Sequence, residues 1–427
     1  LAKELELLAI FLYPHNLVTT ENKNALKAGY DAYNYERLNL NLEKRERKGY
    51  LIAGGEAVGL GAVMGGMKAY FAYPMTPASS ALHWLANHAI KYKILVKVVE
   101  DEISAINMAI GANYAGIRAM AGTSGGGFAL MTEAVGMSGM MEIPLVIYEA
   151  QRAGPSTGLP TKTEQGDLFQ VLGASQGDFP RIIFAPRNVS DAFYCTREAF
   201  NVAEKYQLPV IVMSDLYLAE HAETVEDLDF NFKIDRGKII DKRIDDYKRY
   251  EYTPDGVSFR AIPGTEGLMH NEDSDEHDEY GDVISDAVTD PSKRMKSMEK
   301  RMRKLETYIK EMPPTPTYRL DDADFVVFQW GSTQGVVEEA IDMLRDDGLR
   351  IGAIEINRVF PLNPDIKKIL GERKFVVVEN NFTGQFARLL KETFLINPEA
   401  VIRKYDGEAF YPKQVYKEIK NIFSGVV

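Results

Sequence analysis

The sequence has one cysteine, Cys195, among 427 residues. A single cysteine excludes both a disulfide framework and a cysteine-ligated cluster built from this chain alone. Cationic residues are also in short supply, with 50 lysines and arginines against 62 aspartates and glutamates. The net charge of −12 argues against a non-specific binder of nucleic acid or of anionic membranes. One cysteine, two tryptophans and 22 tyrosines fit a cytoplasmic enzyme subunit.

Long apolar runs are missing too. No stretch approaches the roughly 18 apolar residues that a membrane span needs. The segment Leu1–Tyr13 contains Glu4 and Glu6 and lacks a small-residue cleavage site, so we do not expect a secretory signal. Because leucine is not a natural start residue, we expect the chain to be a fragment of a longer polypeptide.

The six histidines show no spacing that is typical of metal ligands. His270 and His277 stand in an acidic tract, which we interpret as a solvated loop and not as a metal site. No Ser-His-Asp arrangement can be recognised, and we expect Cys195 to be buried in a helix and inert. No metal site is therefore predicted on this chain.

The length allows two or three domains, each with its own core. From about residue 50 to 220, short apolar strands alternate with helical patterns, and glycine turns follow the strands. This alternation predicts a doubly wound parallel α/β domain. We divide the chain into residues 1–35, the tail of a preceding domain; 36–49, a linker; 50–221, the first α/β domain; 222–320, a connecting segment with one charged surface helix; and 321–427, a smaller second α/β domain.

The stretch from Val98 to Thr161 carries most of the candidate chemistry. It opens with Glu100-Asp101-Glu102, directly before a helix of small and apolar residues. Because a carboxylate at a helix start is favoured by free N–H groups, capping is at least as good an interpretation as catalysis. The catalytic interpretation needs a carboxylate held beside a ring nitrogen with which it shares a proton. Spacing favours Glu102 over Glu100 for that role.

Glycine turns occur at two strand ends. Gly54-Gly55 and Gly59-Leu60-Gly61 lack the Rossmann spacing, and no Walker lysine follows a four-residue gap. The second turn follows Thr123 and Ser124, and its glycines would let backbone approach a cofactor ring closely. Tight helix–strand packing explains these glycines equally well. The candidate cofactor-binding residues in this turn are Thr123, Ser124, Gly125 and Gly126.

The segment Tyr73-Pro74-Met75-Thr76-Pro77 ends another predicted strand. Its two prolines restrict the backbone on both sides of Thr76, so the hydroxyl would be held rigidly at the carboxyl edge of the sheet. Ligands of open α/β sheets bind at that edge. Arg152 also follows a strand, and its planar fork matches a carboxylate, although a salt bridge to a surface aspartate is the simpler alternative.

Taken together, these motifs resemble those of the α subunit of 2-oxoacid:ferredoxin oxidoreductases, with a fused γ domain as in archaeal members. The resemblance rests on the segments just described, on 154–161 (GPSTGLPT), and on the second-domain motifs 331–333 (GST) and 378–385 (VENNFTGQ). It covers about residues 50–427, and residues 1–35 would be the end of the γ domain.

The resemblance implies an enzyme that uses thiamine diphosphate to decarboxylate a 2-oxoacid oxidatively. Its electrons would pass through an iron–sulfur cluster to ferredoxin, and the acyl group would be transferred to coenzyme A. The chain would supply the pyrimidine-binding domain and a smaller domain like the transketolase C-terminal domain. A partner β subunit would hold the diphosphate, Mg2+ and a [4Fe-4S] cluster. The preferred 2-oxoacid, pyruvate or 2-oxoglutarate for example, and the αβ or (αβ)2 assembly are left open.

Carried over by motif, Glu102 would pair with the aminopyrimidine ring and activate the cofactor. Arg152 would hold the substrate carboxylate, with Thr76, the other residues of 73–77 and Thr161 assisting. The chain departs from the family in two places: Met75 replaces a usual isoleucine, and Gly54-Gly55 replaces a usual Gly-Asn. Two rival functions remain: a transketolase-type or decarboxylating subunit without electron transfer, and a non-catalytic module that binds organic acids.

Overall fold

The computed structural model describes residues 20–32, 49–284 and 290–423. It divides into a unit of residues 1–48 and a unit of residues 49–427. The described part of the first unit is one helix, α1 (Thr20–Ala32). The rest of the predicted domain tail and nearly all of the predicted linker lie outside the described residues.

The second unit contains the strands of the described structure. In chain order they are β1 Tyr50–Ala53, β2 Ala69–Ala72, β3 Leu95–Val98, β4 Ala119–Thr123, β5 Leu145–Gln151, β6 Ile182–Phe184, β7 Pro209–Asp215, β8 Ala222–Val225, β9 Ile239–Ile240, β10 Arg260–Ala261, β11 Thr317–Tyr318, β12 Phe325–Trp330, β13 Ile351–Ile356, β14 Arg358–Phe360, β15 Lys374–Glu379 and β16 Ala400–Arg403.

Helices alternate with these strands over most of the unit. They are α2 Gly54–Met64, α3 Ser79–Tyr92, α4 Glu102–Tyr114, α5 Gly125–Met141, α6 Leu168–Leu172, α7 Val189–Tyr206, α8 Leu216–Glu220, α9 Pro291–Glu311, α10 Gln334–Asp346, α11 Asp365–Leu370, α12 Gln385–Phe394 and α13 Pro412–Phe423.

The larger sheet has the spatial order β14-β6-β7-β5-β4-β2-β3, and only β14 runs antiparallel to its neighbour. Its central strands are apolar and buried on both faces, as parallel strands covered by helices must be. Helices α2, α3 and α7 pack on one face, and α4, α5 and α6 on the other. The chain therefore leaves β2 and β4 towards opposite faces, and a crevice opens between their carboxyl ends.

The smaller sheet has the order β11-β13-β12-β15-β16, with β11 as its antiparallel edge. Helices α11 and α12 contribute to the same core cluster as α4 and α5 of the larger sheet, so one core connects the two sheets. The turn after β12 contacts the loop that follows β5. In that loop, Gln165 donates from Nε2 to the oxygen of Trp330, the last residue of β12, at 2.9 Å. The doubly wound α/β architecture with a smaller α/β part is confirmed.

The first predicted strand does not join the parallel sheet. β1 pairs only with β8, in an antiparallel two-stranded sheet. A strand of four residues cannot be assigned to a sheet from its own sequence, since the pairing partner lies far along the chain.

The connecting segment differs from the expected surface helix and solvated loop. Helix α9 buries the side chains of Lys300 and Lys304, whose ammonium groups lie 2.7 and 2.5 Å from the carboxylate of Glu142. The acidic tract is only partly solvated: Asp273 and Asp275 are exposed, but Glu276 binds Arg301 at 2.8 Å and Asp278 binds Lys293 at 2.8 Å. Charged sequence predicted exposure here, but opposite charges far apart in sequence neutralise each other in the interior.

Across the three described ranges, none of the helices has the length and apolar composition needed to cross a membrane.

Candidate active site

The three acidic residues before α4 have separate positions. Asp101 is the N-cap, and its Oδ1 accepts from the Ser104 amide at 2.7 Å, a contact that typically contributes about 1 kcal/mol to helix stability. Glu100 is exposed and accepts from the Ser104 hydroxyl at 2.9 Å. Glu102 lies in the first helical turn and is only 3 % exposed. The acid that caps the helix, Asp101, is therefore not the buried acid, Glu102.

Of the three acids, Glu102 is the one with a buried, unpaired carboxyl oxygen. Its Oε1 is buried and has no hydrogen-bond partner among the described residues. Burial raises the pKa of Glu102, while its own backbone amide opposes the shift. A buried carboxyl oxygen left unpaired is costly, so its persistence favours a ligand that completes it.

The glycines after β4 form the first turn of α5 and not a free loop. A methyl group on Gly127 would lie 2.4 Å from Glu102 Oε1 and 2.1 Å from Thr123 Oγ1, so only glycine fits there. Gly126 is exposed, and a methyl group on it would have no neighbour closer than 3.9 Å. Thr123 and Ser124 are fully buried, and the Ser124 hydroxyl has no partner in the described structure.

Arg152 and the 73–77 segment meet across the sheet edge. Arg152 Nη1 donates to the backbone oxygen of Thr76 at 2.9 Å. Thr76 and Met75 are half-buried, Pro77 is buried behind a cis peptide bond, and Tyr73 and Pro74 are exposed. Among the described residues, Arg152 forms no salt bridge to an aspartate, and its hydrogen bond is to this backbone oxygen.

A cleft of about 750 Å3 opens at this edge. Several of the predicted residues share it, namely Met75, Gly125, Gly126 and Arg152. Glu102 lies behind Gly127, next to the same turn of α5. The cleft is also lined by Asn381 and Gln385 of the 378–385 motif, and by three residues that sequence analysis did not single out: Glu164, Asp167 and Gln170.

Thr161 lies elsewhere. After Arg152 the chain folds back, with the Leu159 amide donating to the Ala153 oxygen at 2.8 Å. Thr161 is then exposed in a second cleft of about 620 Å3, which also contains Ser332 and Arg187. The structure therefore does not bring Thr161 together with Arg152.

Sequence analysis did not identify two carboxyls near Arg152, those of Asp167 and Glu149. Asp167 lines the cleft, and burial raises its pKa to about 6 although Arg152 lies nearby. Glu149 is fully buried at the end of β5, and burial followed by the charge of Asp167 holds its pKa well above the usual range. One signal was available in the sequence: a glutamate near the end of an otherwise apolar buried strand.

Amide side chains hold the loop that carries Asp167. Gln385 of α12 donates to the Gly166 oxygen at 2.7 Å and accepts from the Phe169 amide at 3.0 Å. Gln165 accepts from the Asn380 amide at 2.9 Å. The smaller sheet therefore fixes one wall of the cleft.

The residues present fit the pyrimidine half of thiamine diphosphate. Glu102 offers an unpaired, buried carboxyl oxygen, as a protonatable ring nitrogen requires, and the side-chain-free Gly126 offers backbone that a flat ring can approach. No group of three or more metal-ligating side chains occurs within the described ranges. Cys195 is buried in α7, as predicted.

Two family models match the chain. Residues 60–299 match the family described as pyruvate flavodoxin/ferredoxin oxidoreductase, thiamine diphosphate-binding, and residues 323–415 match core domain II of pyruvate:ferredoxin oxidoreductase. Together they cover the two larger sheets except the edge strand β11.

Individual relatives agree with these matches. The chain is 36 % identical over 418 residues to 2-oxoacid:ferredoxin oxidoreductase 1, subunit alpha, of Sulfurisphaera tokodaii, covering 93 % of this chain and 65 % of that one. It is 31 % identical over 380 residues to 2-oxoglutarate synthase subunit KorA of Methanothermobacter marburgensis, covering 87 % of this chain and 98 % of that one.

A solved structure is similar over nearly the whole chain. It is a 2-oxoglutarate:ferredoxin oxidoreductase from Magnetococcus marinus with 2-oxoglutarate, coenzyme A and succinyl-CoA bound, with a TM-score of 0.85 and 34 % identity, covering 94 % of this chain and 70 % of that one. The chain spans only 65 % of the length of its Sulfurisphaera relative. By sequence and by fold, the chain belongs to the pyruvate flavodoxin/ferredoxin oxidoreductase family, in its thiamine diphosphate-binding part.

Proposed function

We propose that the chain is the pyrimidine-binding subunit of a 2-oxoacid:ferredoxin oxidoreductase that forms acyl-coenzyme A. The observation that carries this proposal is the buried, unpaired Oε1 of Glu102 beside the glycine turn of α5. The names of the relatives and the ligands bound in the Magnetococcus structure support the same reaction class.

Thiamine diphosphate, when bound, supplies the electron sink that allows a 2-oxoacid to lose carbon dioxide. The Glu102 carboxyl would hold a proton at Oε1 and share it with the pyrimidine ring nitrogen. Its burial excludes water from that contact, so the shared proton is not lost to solvent. Thr123 packs beside the same carboxyl and limits its movement.

Arg152 would bind the substrate carboxylate. Its hydrogen bond to Thr76 orients the guanidinium and leaves the other N–H groups for a ligand. Met75 and Thr76 would then contact the 2-oxo end of the substrate from the 73–77 segment. Because Thr161 lies in the other cleft, its proposed contact with substrate requires the 153–162 loop to move.

A partner subunit completes this proposal. We assign to it the diphosphate, Mg2+ and [4Fe-4S] sites, with ferredoxin as the acceptor, because this chain offers a single, buried cysteine. Apolar side chains are exposed on β3 and at the start of α4, and they would pack against such a partner: Leu95, Val98 and Ile103. A cytoplasmic location and the domain limits at 221 and 321 belong to the same proposal; the limits are supported by the two larger sheets, although β14 of the second part pairs with β6 of the larger sheet.

The test uses the complex purified without oxygen together with whatever copurifies. Each 2-oxoacid is added with coenzyme A, and reduction of a low-potential dye is followed. We expect reduction that requires both thiamine diphosphate and coenzyme A, and the rates will rank pyruvate, 2-oxoglutarate and branched 2-oxoacids. No reduction, with a partner free of iron, would favour the transketolase-type subunit. Acid binding by the chain alone, without any turnover, would favour the regulatory module.

A further inference from the structure

The floor of the cleft contains two carboxyls for which the proposed reaction has no role so far. Asp167 lines the cleft with Arg152, and Glu149 lies beneath it on β5. Neither oxygen of Glu149 has a hydrogen-bond partner of normal geometry among the described residues, and the side chain is 0 % exposed. Burial, and next the charge of Asp167, hold the pKa of Glu149 well above its usual range, so the protonated form of this carboxyl is favoured.

The position of Asp167 is tightly fixed. Its backbone amide donates to Gln151 Oε1 at 3.0 Å, and a methyl group on Gly125 would lie 2.3 Å from its Oδ2. Helix α5 therefore presses directly on the carboxyl. With Gly166 held by Gln385, the side chain cannot turn away from the cleft without moving the loop.

The charged groups around Asp167 are few. Arg152 is the cation that acts on it, Glu149 lies behind it, and Glu164 lines the same cleft. Asp215, at the end of β7, also raises the pKa of Glu149, and the charge of Glu149 in turn contributes to the raised pKa of the Tyr148 phenol. Since burial brings the pKa of Asp167 to about 6, a small electrostatic change moves its titration into the physiological range.

We propose that a carboxylate bound at Arg152 draws a proton onto Asp167, so that substrate affinity is linked to pH through this residue. This inference rests on the proposed role of Arg152 in binding a 2-oxoacid. In the empty cleft the anionic Asp167 offsets part of the charge of Arg152. A bound carboxylate pairs with Arg152 and repels the Asp167 carboxylate. Asp167 then favours its neutral, protonated form.

The consequence can be measured as proton uptake. Calorimetry of the complex with its partner would use oxamate, a non-reacting 2-oxo carboxylate, at pH 7 in two buffers of different ionisation enthalpy. If binding raises the pKa of Asp167 by one or two units from about 6, uptake of about 0.4 to 0.8 proton per oxamate is expected. The dissociation constant should rise between pH 6 and pH 8 by about fivefold or more.

Two variants separate this linkage from a structural role. Asp167→Asn mimics the neutral carboxyl, so it should abolish proton uptake and should bind oxamate at least about tenfold more tightly than the wild type at pH 8. Glu164→Gln removes a carboxyl from the same cleft and should keep the uptake. If Asp167→Asn does not assemble, the pH dependence of the wild type alone still decides the question.

The outcomes are distinct. Oxamate binding without proton uptake in the wild type, or with unchanged uptake in Asp167→Asn, would overturn this inference and leave the proposed function intact. Failure of the wild-type complex to bind oxamate at all would overturn both, because Arg152 would then not be a carboxylate site.

Discussion

Arg152 Nη1 donates to the backbone oxygen of Thr76 at 2.9 Å, which ties the segment after β5 to the segment after β2. Strand β4 lies between those strands in the sheet, so this hydrogen bond crosses its carboxyl end, immediately beside the start of α5. One contact thus joins the candidate substrate-binding residue to the rigid 73–77 segment over the glycine turn.

Replacing Arg152 by lysine should weaken substrate binding while leaving the fold intact. Lysine keeps the charge but loses the planar fork that binds a carboxylate through two N–H groups. We expect the KM for the 2-oxoacid to rise about tenfold or more, with a smaller change in kcat. Steady-state kinetics with Arg319→Lys, a substitution at a half-exposed arginine of the smaller sheet, provides the control. An unchanged KM would show that the carboxylate binds elsewhere.

Gly127→Ala should displace Glu102. The added methyl group would lie 2.4 Å from Glu102 Oε1, and overpacking of this kind costs about 1–3 kcal/mol in the free energy of unfolding. The effect on turnover should be larger than the effect on stability, because the Glu102 carboxyl itself is displaced.

Gly111→Ala is the matched control in α4. A methyl group there meets nothing within 4 Å, so alanine should raise the free energy of unfolding by about 0.5–1 kcal/mol. Urea denaturation of both variants, alongside turnover, checks the pair. If Gly127→Ala and Gly111→Ala had the same effect on the free energy of unfolding and on turnover, the close contact at Gly127 would be contradicted.

Glu142→Gln should be strongly destabilising. Its carboxylate is the counter-charge of the buried ammonium groups of Lys300 and Lys304, and removing one partner of a buried ion pair costs about 3–5 kcal/mol. Lys205→Ala breaks the more exposed pair with Glu311 and should cost about 1 kcal/mol or less. Thermal unfolding measures both, and a loss for Glu142→Gln no larger than for Lys205→Ala would show that α9 is only loosely attached.

Glu149→Gln should stabilise the protein increasingly as the pH rises. The folded-state pKa of Glu149 lies above that of the unfolded chain because burial disfavours its charge. Above the unfolded-state value the unfolded chain loses this proton while the folded chain keeps it, so wild-type stability falls with rising pH until the folded-state pKa is reached.

Glutamine does not titrate. The increase in the free energy of unfolding caused by Glu149→Gln should therefore be small at pH 4 and at least about 1 kcal/mol at pH 8. Glu133→Gln, an exposed position on α5, reports the effect of the substitution alone. A gain that does not change with pH would mean that Glu149 is not held neutral in the fold.

The sequence predicted the fold class because its signals are local. Apolar strands of the length of β5 and β7, each followed by a turn and a helix, specify parallel α/β structure without knowledge of distant contacts. The order of the strands could not be predicted in the same way. β1 resembles its neighbours in composition, yet it pairs with β8 outside the main sheet.

Prediction of the site was limited by contacts between distant residues. Spacing favoured Glu102 over Glu100, but the sequence did not separate capping from catalysis; packing against Gly127 distinguishes the buried Glu102 from the capping Asp101. Asp167 meets Arg152 and Glu149 through a loop held by Gln385. Nothing local in the sequence signals those contacts, and nothing local shows that α9 would bury its lysines.

The role of Glu102 is the central claim, and one comparison tests it most directly. The complexes with wild type, Glu102→Gln and Glu100→Gln are each supplied with thiamine diphosphate, coenzyme A and the best 2-oxoacid, and dye reduction is followed. Glu102→Gln should lose about two to four orders of magnitude in kcat. Glu100→Gln, which alters an exposed side chain two residues away, should remain near the wild-type rate. Near-normal turnover in Glu102→Gln, with cofactor dependence retained, would contradict the assignment of Glu102 as the cofactor-activating carboxyl.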